Sequence, residues 1–189
     1  MIYISGASSE LQSSEVLDLY NYRYDVFIEH LEWDIVTGFG STELRIEKDQ
    51  FDTDETIYVV AKDSQKQIVG CARLLPTTEP YLLKDVFPEL LNGMEAPCTS
   101  DVWELSRFTS FDRNKPEDLQ SPTQFSAETT VQLLKKTLEV ARSYGAKKLI
   151  TVSPVAVERL LRRENFSATR LGPPVRSAGH LLISCIIDV

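Results

Sequence analysis

Val16, Leu19, Tyr20, Arg23, Phe27 and Leu31 recur three and four residues apart, the spacing of one helix face. The pattern predicts a helix capped by Ser13 or Ser14 and running to about His30. Arg23 sits inside that apolar stripe. A buried guanidinium needs an anionic partner, so Arg23 is either half of a structural ion pair or a ligand contact. Elsewhere the period changes. Ile57–Lys62 and Gln67–Leu75 are β-rich runs on either side of Asp63-Ser64-Gln65-Lys66, which predicts a hairpin.

Further strands are expected at Met1–Ser5, Val102–Phe108, Lys147–Ser153 and Leu181–Val189. Helical spacing returns over Phe125–Tyr144, ended by Gly145, and over Val155–Glu164. Residues 34–50 lack a period, contain Gly38 and Gly40, and read as a mobile loop. Residues 112–123, with Pro116 and Pro122, read as a second loop. The order predicts an α+β fold, a three-layer α/β/α sandwich around a mixed, mostly antiparallel sheet. It is similar to the order of acetyltransferase-like folds.

At 189 residues the chain is expected to form one domain over residues 1–189. No apolar run reaches the roughly 18–20 residues that span a bilayer, and MIYISGASSELQ has no basic or long apolar leader region. A cytoplasmic protein without membrane insertion is expected. Cys71, Cys98 and Cys185 are isolated, and His30 and His180 lie far apart, which argues against a disulfide framework and a metal site. The net charge of −8 is unevenly spread: residues 135–176 hold ten bases and three acids. A basic segment in an acidic chain suggests a patch for an acidic partner rather than nucleic-acid affinity.

Charge on core strands locates the candidate chemistry. Arg73 interrupts one apolar strand, and Glu104 and Arg107 interrupt another. Such charges are costly unless paired. Asp49 and Asp52 flank Phe51, and Arg23, Arg73 and Arg107 with Asp49, Asp52 and Glu104 make a balanced set of three and three. Strict alternation puts Glu104 and Ser106 on one strand face and Arg107 on the other. If all act at one site, the strand must twist, splay or bulge there.

These residues fall in ordered motifs: Arg23, Phe27 and Trp33; Glu47-Lys48-Asp49-Gln50-Phe51-Asp52; Gly70 through Tyr81, GCARLLPTTEPY; and Trp103 through Phe108, WELSRF. With DVFPELLNG at 85–93 and GPP at 172–174, they resemble the autoinducer synthases that make acyl-homoserine lactones, quorum-sensing signals, over nearly the whole chain. The resemblance implies two substrates and no cofactor or metal. S-adenosylmethionine supplies the lactone part, and acyl carrier protein supplies an acyl thioester. The implied S-adenosylmethionine site holds Arg23, Phe27, Trp33, Asp49, Ser106, Arg107 and Phe108. Glu104, Arg107, Asp49, Asp52 and Arg73 are the catalytic candidates. Glu104, directly or through a water, is the candidate base, and Arg23, Arg73 or Arg107 the carboxylate grip. Phe125, Leu149, Thr151, Ser153, Val155 and Leu160 are expected to line the acyl slot. Thr151 implies a medium to long chain oxygenated at C3. Lys147, Lys148, Arg159, Arg163 and Arg170 are expected to dock the acidic carrier. Two rivals remain: an acetyltransferase-like N-acyltransferase with another acceptor, and a non-catalytic ligand-binding relative. Residues 108–124, FTSFDRNKPEDLQSPTQ, contain no glycine, which counts against a coenzyme A pyrophosphate loop.

Overall fold

The computed structural model describes residues 1–120, 127–177 and 180–189, so Phe125 lies outside the described residues. Among the described residues eight strands form: β1 (Ile2–Ala7), β2 (Ile57–Lys62), β3 (Ile68–Pro76), β4 (Val102–Thr109), β5 (Lys148–Pro154), β6 (Ala168–Arg170), β7 (Val175–Ser177) and β8 (His180–Asp188). The helices are α1 (Ser13–Arg23), α2 (Leu82–Asp85), α3 (Pro116–Leu119), α4 (Ala127–Ser143) and α5 (Val155–Arg163), with a 3₁₀ turn at Pro88–Leu91. The residues fall into two compact units, Met1–Arg73 with Arg107–Thr137, and Leu74–Ser106 with Leu138–Val189. Their boundaries lie inside β3, β4 and α4.

In the first unit the strand neighbours follow the order β1-β2-β3-β4. β1 pairs antiparallel with β2, from Ile2↔Lys62 to Ala7↔Ile57. β2 reads IYVVAK and is buried through Ala61, as an apolar strand covered on both faces must be. Its core joins Leu19, Tyr22, Val26 and Phe27 to Tyr58, Val60, Ile68, Cys71 and Phe111.

The expected first helix forms, with two corrections. Its cap is Gln12, without a side-chain cap bond, rather than Ser13 or Ser14. From Tyr24 to His30 the coil widens into a π-helix, in which the Leu31 amide donates to the Val26 carbonyl five residues back. Tyr22, Tyr24 and Val26 are buried beside Arg23 and Phe27, so the buried face is broader than the stripe read from the sequence.

In the second unit the order is β3-β4-β5-β8-β6, with β7 also on β8. β4 and β5 are parallel, from Val102↔Lys148 to Leu105↔Thr151. β8 is antiparallel to β5, β6 and β7. The register assigns the two faces. Glu104, Ile150 and Ile186 form one row across the strands, and Thr151, Cys185 and Arg170 form the next row on the opposite face. Glu104 bonds to α2 and Arg170 to α5, so helices cover both faces of this part of the sheet.

Short elements escaped the sequence pattern. β6 and β7 have three residues each, α2 four, and α3 occupies four residues of the stretch read as a loop at 112–123. Residues 34–50 form no helix or strand, and several bonds tether them. Ser41 and Ile46 form a bridge, and the Asn21 amide donates to the carbonyls of Leu44 and Arg45. No helix among the described residues is long and apolar enough to cross a membrane.

Candidate active site

Six charged side chains of the first unit form one buried network. Arg23, from the end of α1, donates Nε to Glu47 at 2.5 Å and both Nη groups to Asp52 at 2.8 and 2.9 Å. Arg73, on β3, donates both Nη groups to Asp49 at 2.6 and 3.1 Å and lies 3.0 Å from Asp52. Arg107, on β4, donates Nε and Nη2 to Glu47 at 3.0 and 2.8 Å, and Nη2 also to Asp49 at 2.8 Å. Three guanidiniums thus meet three carboxylates, and the paired forks make the desolvation tolerable.

Glu47, which the expected set of three and three did not include, joins Asp49 and Asp52 in pairing the three arginines. Glu104 is fully buried, and its carboxylate accepts the backbone amides of Leu82 and Leu83 at 2.9 and 2.7 Å. Charge counting along a strand finds an acid that needs a partner. Glu47 opened a quoted motif, and its signal was the same as that of Asp49 and Asp52.

The acids are held locally. The Asp49 amide donates to Asp52, the Phe51 amide to Asp49, and the Tyr58 hydroxyl to Asp52 at 2.7 Å. Electrostatics follow from this packing. Burial pushes the Glu47 carboxyl up, but the charges of Arg107 and Arg23 outweigh it and bring the value down to about 2. Burial likewise raises Asp52, and Arg23 and Arg73 draw it well below the usual carboxylate range. Burial, with the Asp52 charge beside it, raises the Tyr58 hydroxyl.

Arg107 has φ +49°, a left-handed value that costs a non-glycine residue energy. It is a local departure from regular strand geometry within β4. Beside it, the Phe27 and Trp33 rings stack with centroids 4.7 Å apart and planes 25° apart. The Trp33 amide donates to the Phe27 carbonyl, and Glu32 between them has φ +57°, so the chain leaving the π-helix folds Trp33 back onto Phe27. Ser106 is buried and Phe108 partly buried on β4. A surface cavity of about 300 Å³, lined by Asp18, Asn21, Lys66, Gln67, Ile68 and Arg113, includes none of the network residues.

Phe125 apart, which lies outside the described residues, the acyl-slot and docking candidates lie in the second unit. Leu149, Thr151 and Ser153 share one face of β5 and are all buried, with the Thr151 and Ser153 hydroxyls 3.1 Å apart. Val155 and Leu160 on α5 are half-buried. Lys147, Lys148, Arg159 and Arg163 are exposed, Lys147 beside Asp101 and Arg163 beside Glu164. Arg170 differs: it is half-buried and pairs with Glu158, a buried acid on α5 that also accepts from Arg162 at 2.7 Å.

Known proteins resemble the chain along nearly its whole length. Residues 7–189 match the family model described as autoinducer synthase. An acyl-homoserine-lactone synthase of Acinetobacter baumannii is 45% identical over 189 residues, all of both chains. The crystal structure of TofI in a ternary complex with an inhibitor and MTA superposes with TM-score 0.84 at 38% identity, over 100% of this chain and 91% of that one. A putative N-acetyltransferase from Lactobacillus plantarum, 15% identical with TM-score 0.62 over both whole chains, shares the fold alone. The chain belongs to the autoinducer synthase family.

Proposed function

We propose that the protein transfers an acyl chain from acyl carrier protein to the amine of S-adenosylmethionine and then closes the lactone. The α-amine attacks the thioester carbonyl, the carrier's thiol leaves, and an amide remains. The carboxylate then attacks its own γ-carbon and expels methylthioadenosine, leaving an acyl-homoserine lactone. Both steps balance without a metal or cofactor. The observation that supports this best is the buried, neutral network of Arg23, Arg73 and Arg107 with Glu47, Asp49 and Asp52, built from the motif residues of the family.

The network prepares a place for a zwitterion. Among the described residues, Nη1 of Arg107 makes no hydrogen bond, whereas Arg23 donates from all three nitrogens. Of the three arginines first considered, Arg107 is therefore the grip for the substrate carboxylate. Asp49, Asp52 and Arg73 set its position and supply negative potential for the sulfonium and ammonium. Trp33 offers a ring face, and Ser106 and Phe108 flank Arg107 on β4. The ammonium must lose its proton before attack. Glu104 is the candidate base through a water, its carboxylate oriented by the Leu82 and Leu83 amides.

The Thr151 and Ser153 hydroxyls on the buried face of β5 can each donate or accept a hydrogen bond, which supports a 3-oxo or 3-hydroxy group on the medium to long acyl chain. The glycine-free stretch at 108–124 favours carrier protein over coenzyme A as donor. The exposed cations Lys147, Lys148, Arg159 and Arg163 supply a face for it. Purified protein given S-adenosylmethionine and matched acyl-carrier or acyl-coenzyme A donors tests these points. The reading expects lactone mainly from the carrier donor. It expects Arg159→Glu with Arg163→Glu to raise KM for the carrier and leave KM for S-adenosylmethionine unchanged. Equal turnover of both donors, or an unchanged carrier KM, contradicts the carrier assignment.

A further inference from the structure

The geometry around Arg107 links the aromatic pair to the guanidinium rather than to a ligand alone. The guanidinium carbon lies 5.6 Å from the Phe27 centroid and 5.6 Å from the Trp33 centroid, while the two centroids are 4.7 Å apart. Those three lengths form an isosceles triangle. The guanidinium is therefore equidistant from both rings, within cation–π reach of each, and lies over the outer face of neither. Phe27 is 1% exposed and belongs to the core, so Trp33 is the adjustable wall of this seat.

Three further constraints act on the same residue. The Nε–Nη2 edge of Arg107 is bound to Glu47 and Asp49. Its backbone is left-handed. Its carbonyl accepts from the Cys71 thiol at 3.4 Å. A long arginine side chain loses much rotamer freedom when held. Walls of aromatic surface on one side and carboxylates on the other make the held state the resting state before substrate arrives.

We propose that Trp33, backed by Phe27, is a positioning residue that acts through Arg107. It fixes the guanidinium so that the Nη1 corner, bonded to nothing among the described residues, presents its N–H groups to the substrate carboxylate. This rests on the reading above that S-adenosylmethionine binds there. The outer face of Trp33 stays clear of the guanidinium, so a ligand contact on that face is compatible with the seat.

The test has one arm without substrate and one with it. In the first, the Arg107 Nε–H signal is followed by NMR in the wild type, Trp33→Phe and Trp33→Leu. The seat predicts slow proton exchange in the wild type and in the phenylalanine variant, and exchange at least tenfold faster in the leucine variant. An unchanged signal in a folded leucine variant overturns the proposal. In the second, KM for S-adenosylmethionine is measured for Trp33→Leu, Arg107→Lys and the double variant. Trp33→Leu should raise KM roughly three- to thirtyfold, the range that cation–π energies imply, and Trp33→Phe should restore most of it. In the Arg107→Lys background the same leucine substitution should add little. An equal factor in both backgrounds means that Trp33 acts independently of Arg107, and overturns the proposal. Loss of the seat signal in Trp33→Leu, with no turnover of S-adenosylmethionine by the wild type, leaves the seat standing and refutes the substrate reading instead.

Discussion

Residue by residue, the charged side chains were the most legible part of the chain. Arg23, Arg73 and Arg107 each break an apolar pattern, and each is at least nine-tenths buried at the side chain with a carboxylate partner. The cost of an unpaired buried charge makes such a position readable without a structure. Which acid meets which arginine was not readable, because pairing depends on loop paths that carry no period. Glu47 shows the consequence: it bridges Arg23 and Arg107, so one carboxylate ties α1 to β4. Replacing it by glutamine should cost roughly 3 kcal/mol, because Asp52 still pairs Arg23 and Asp49 still pairs Arg107. For a chain of this length that is a fall of roughly 6–12 °C in Tm, measurable by calorimetry. A change below about 2 °C would mean that the network does not share its charge in this way.

At the scale of elements, the long periodic segments formed where the pattern put them, and the short or irregular ones did not show. The π-helical turn at Tyr24–His30 is invisible to a 3.6-residue reading, because the widened coil is imposed by packing rather than by composition. The left-handed backbone at Arg107 was not readable, since nothing in the β4 pattern marks it. Gly70, within the β3 motif, shows how tightly these elements approach. A Cβ there would lie 3.0 Å from Leu133 Cδ2 and 3.0 Å from the Thr109 carbonyl oxygen. The oxygen belongs to β4 and cannot swing aside as a side-chain end can. Gly70→Ala should therefore destabilise by about 1–3 kcal/mol, seen as a lower midpoint in urea. An unchanged midpoint would mean that β3 and β4 shift apart at little cost.

For the molecule as a whole, the buried network makes stability depend on pH in one direction. Glu47 titrates near 2 when folded against 4.5 for a free glutamate, and Asp52 is lowered as well. A depressed carboxylate contributes its stability above the unfolded value, and that contribution is lost as pH falls through the folded one. Stability should therefore be level from pH 7 to about 5 as far as these groups are concerned, then fall steeply towards pH 2. Glu47→Gln should flatten part of that fall. Equal acid sensitivity in the two proteins would place the titration elsewhere. The uneven charge belongs to this scale too: the basic stretch at 135–176 in an acidic chain was visible from composition. That Arg170 spends its charge on buried Glu158 while Arg159 stays exposed was not, because burial is settled by how α5 meets β6.

The most direct test is to express the chain in a host that makes no acyl-homoserine lactone and analyse the spent medium by mass spectrometry. A lactone bearing a 3-oxo or 3-hydroxy chain, absent with empty vector and strongly reduced with Arg107→Ala at equal protein level, is the result expected here. No lactone from well-folded protein, with S-adenosylmethionine and acyl carrier protein both supplied, would contradict the account.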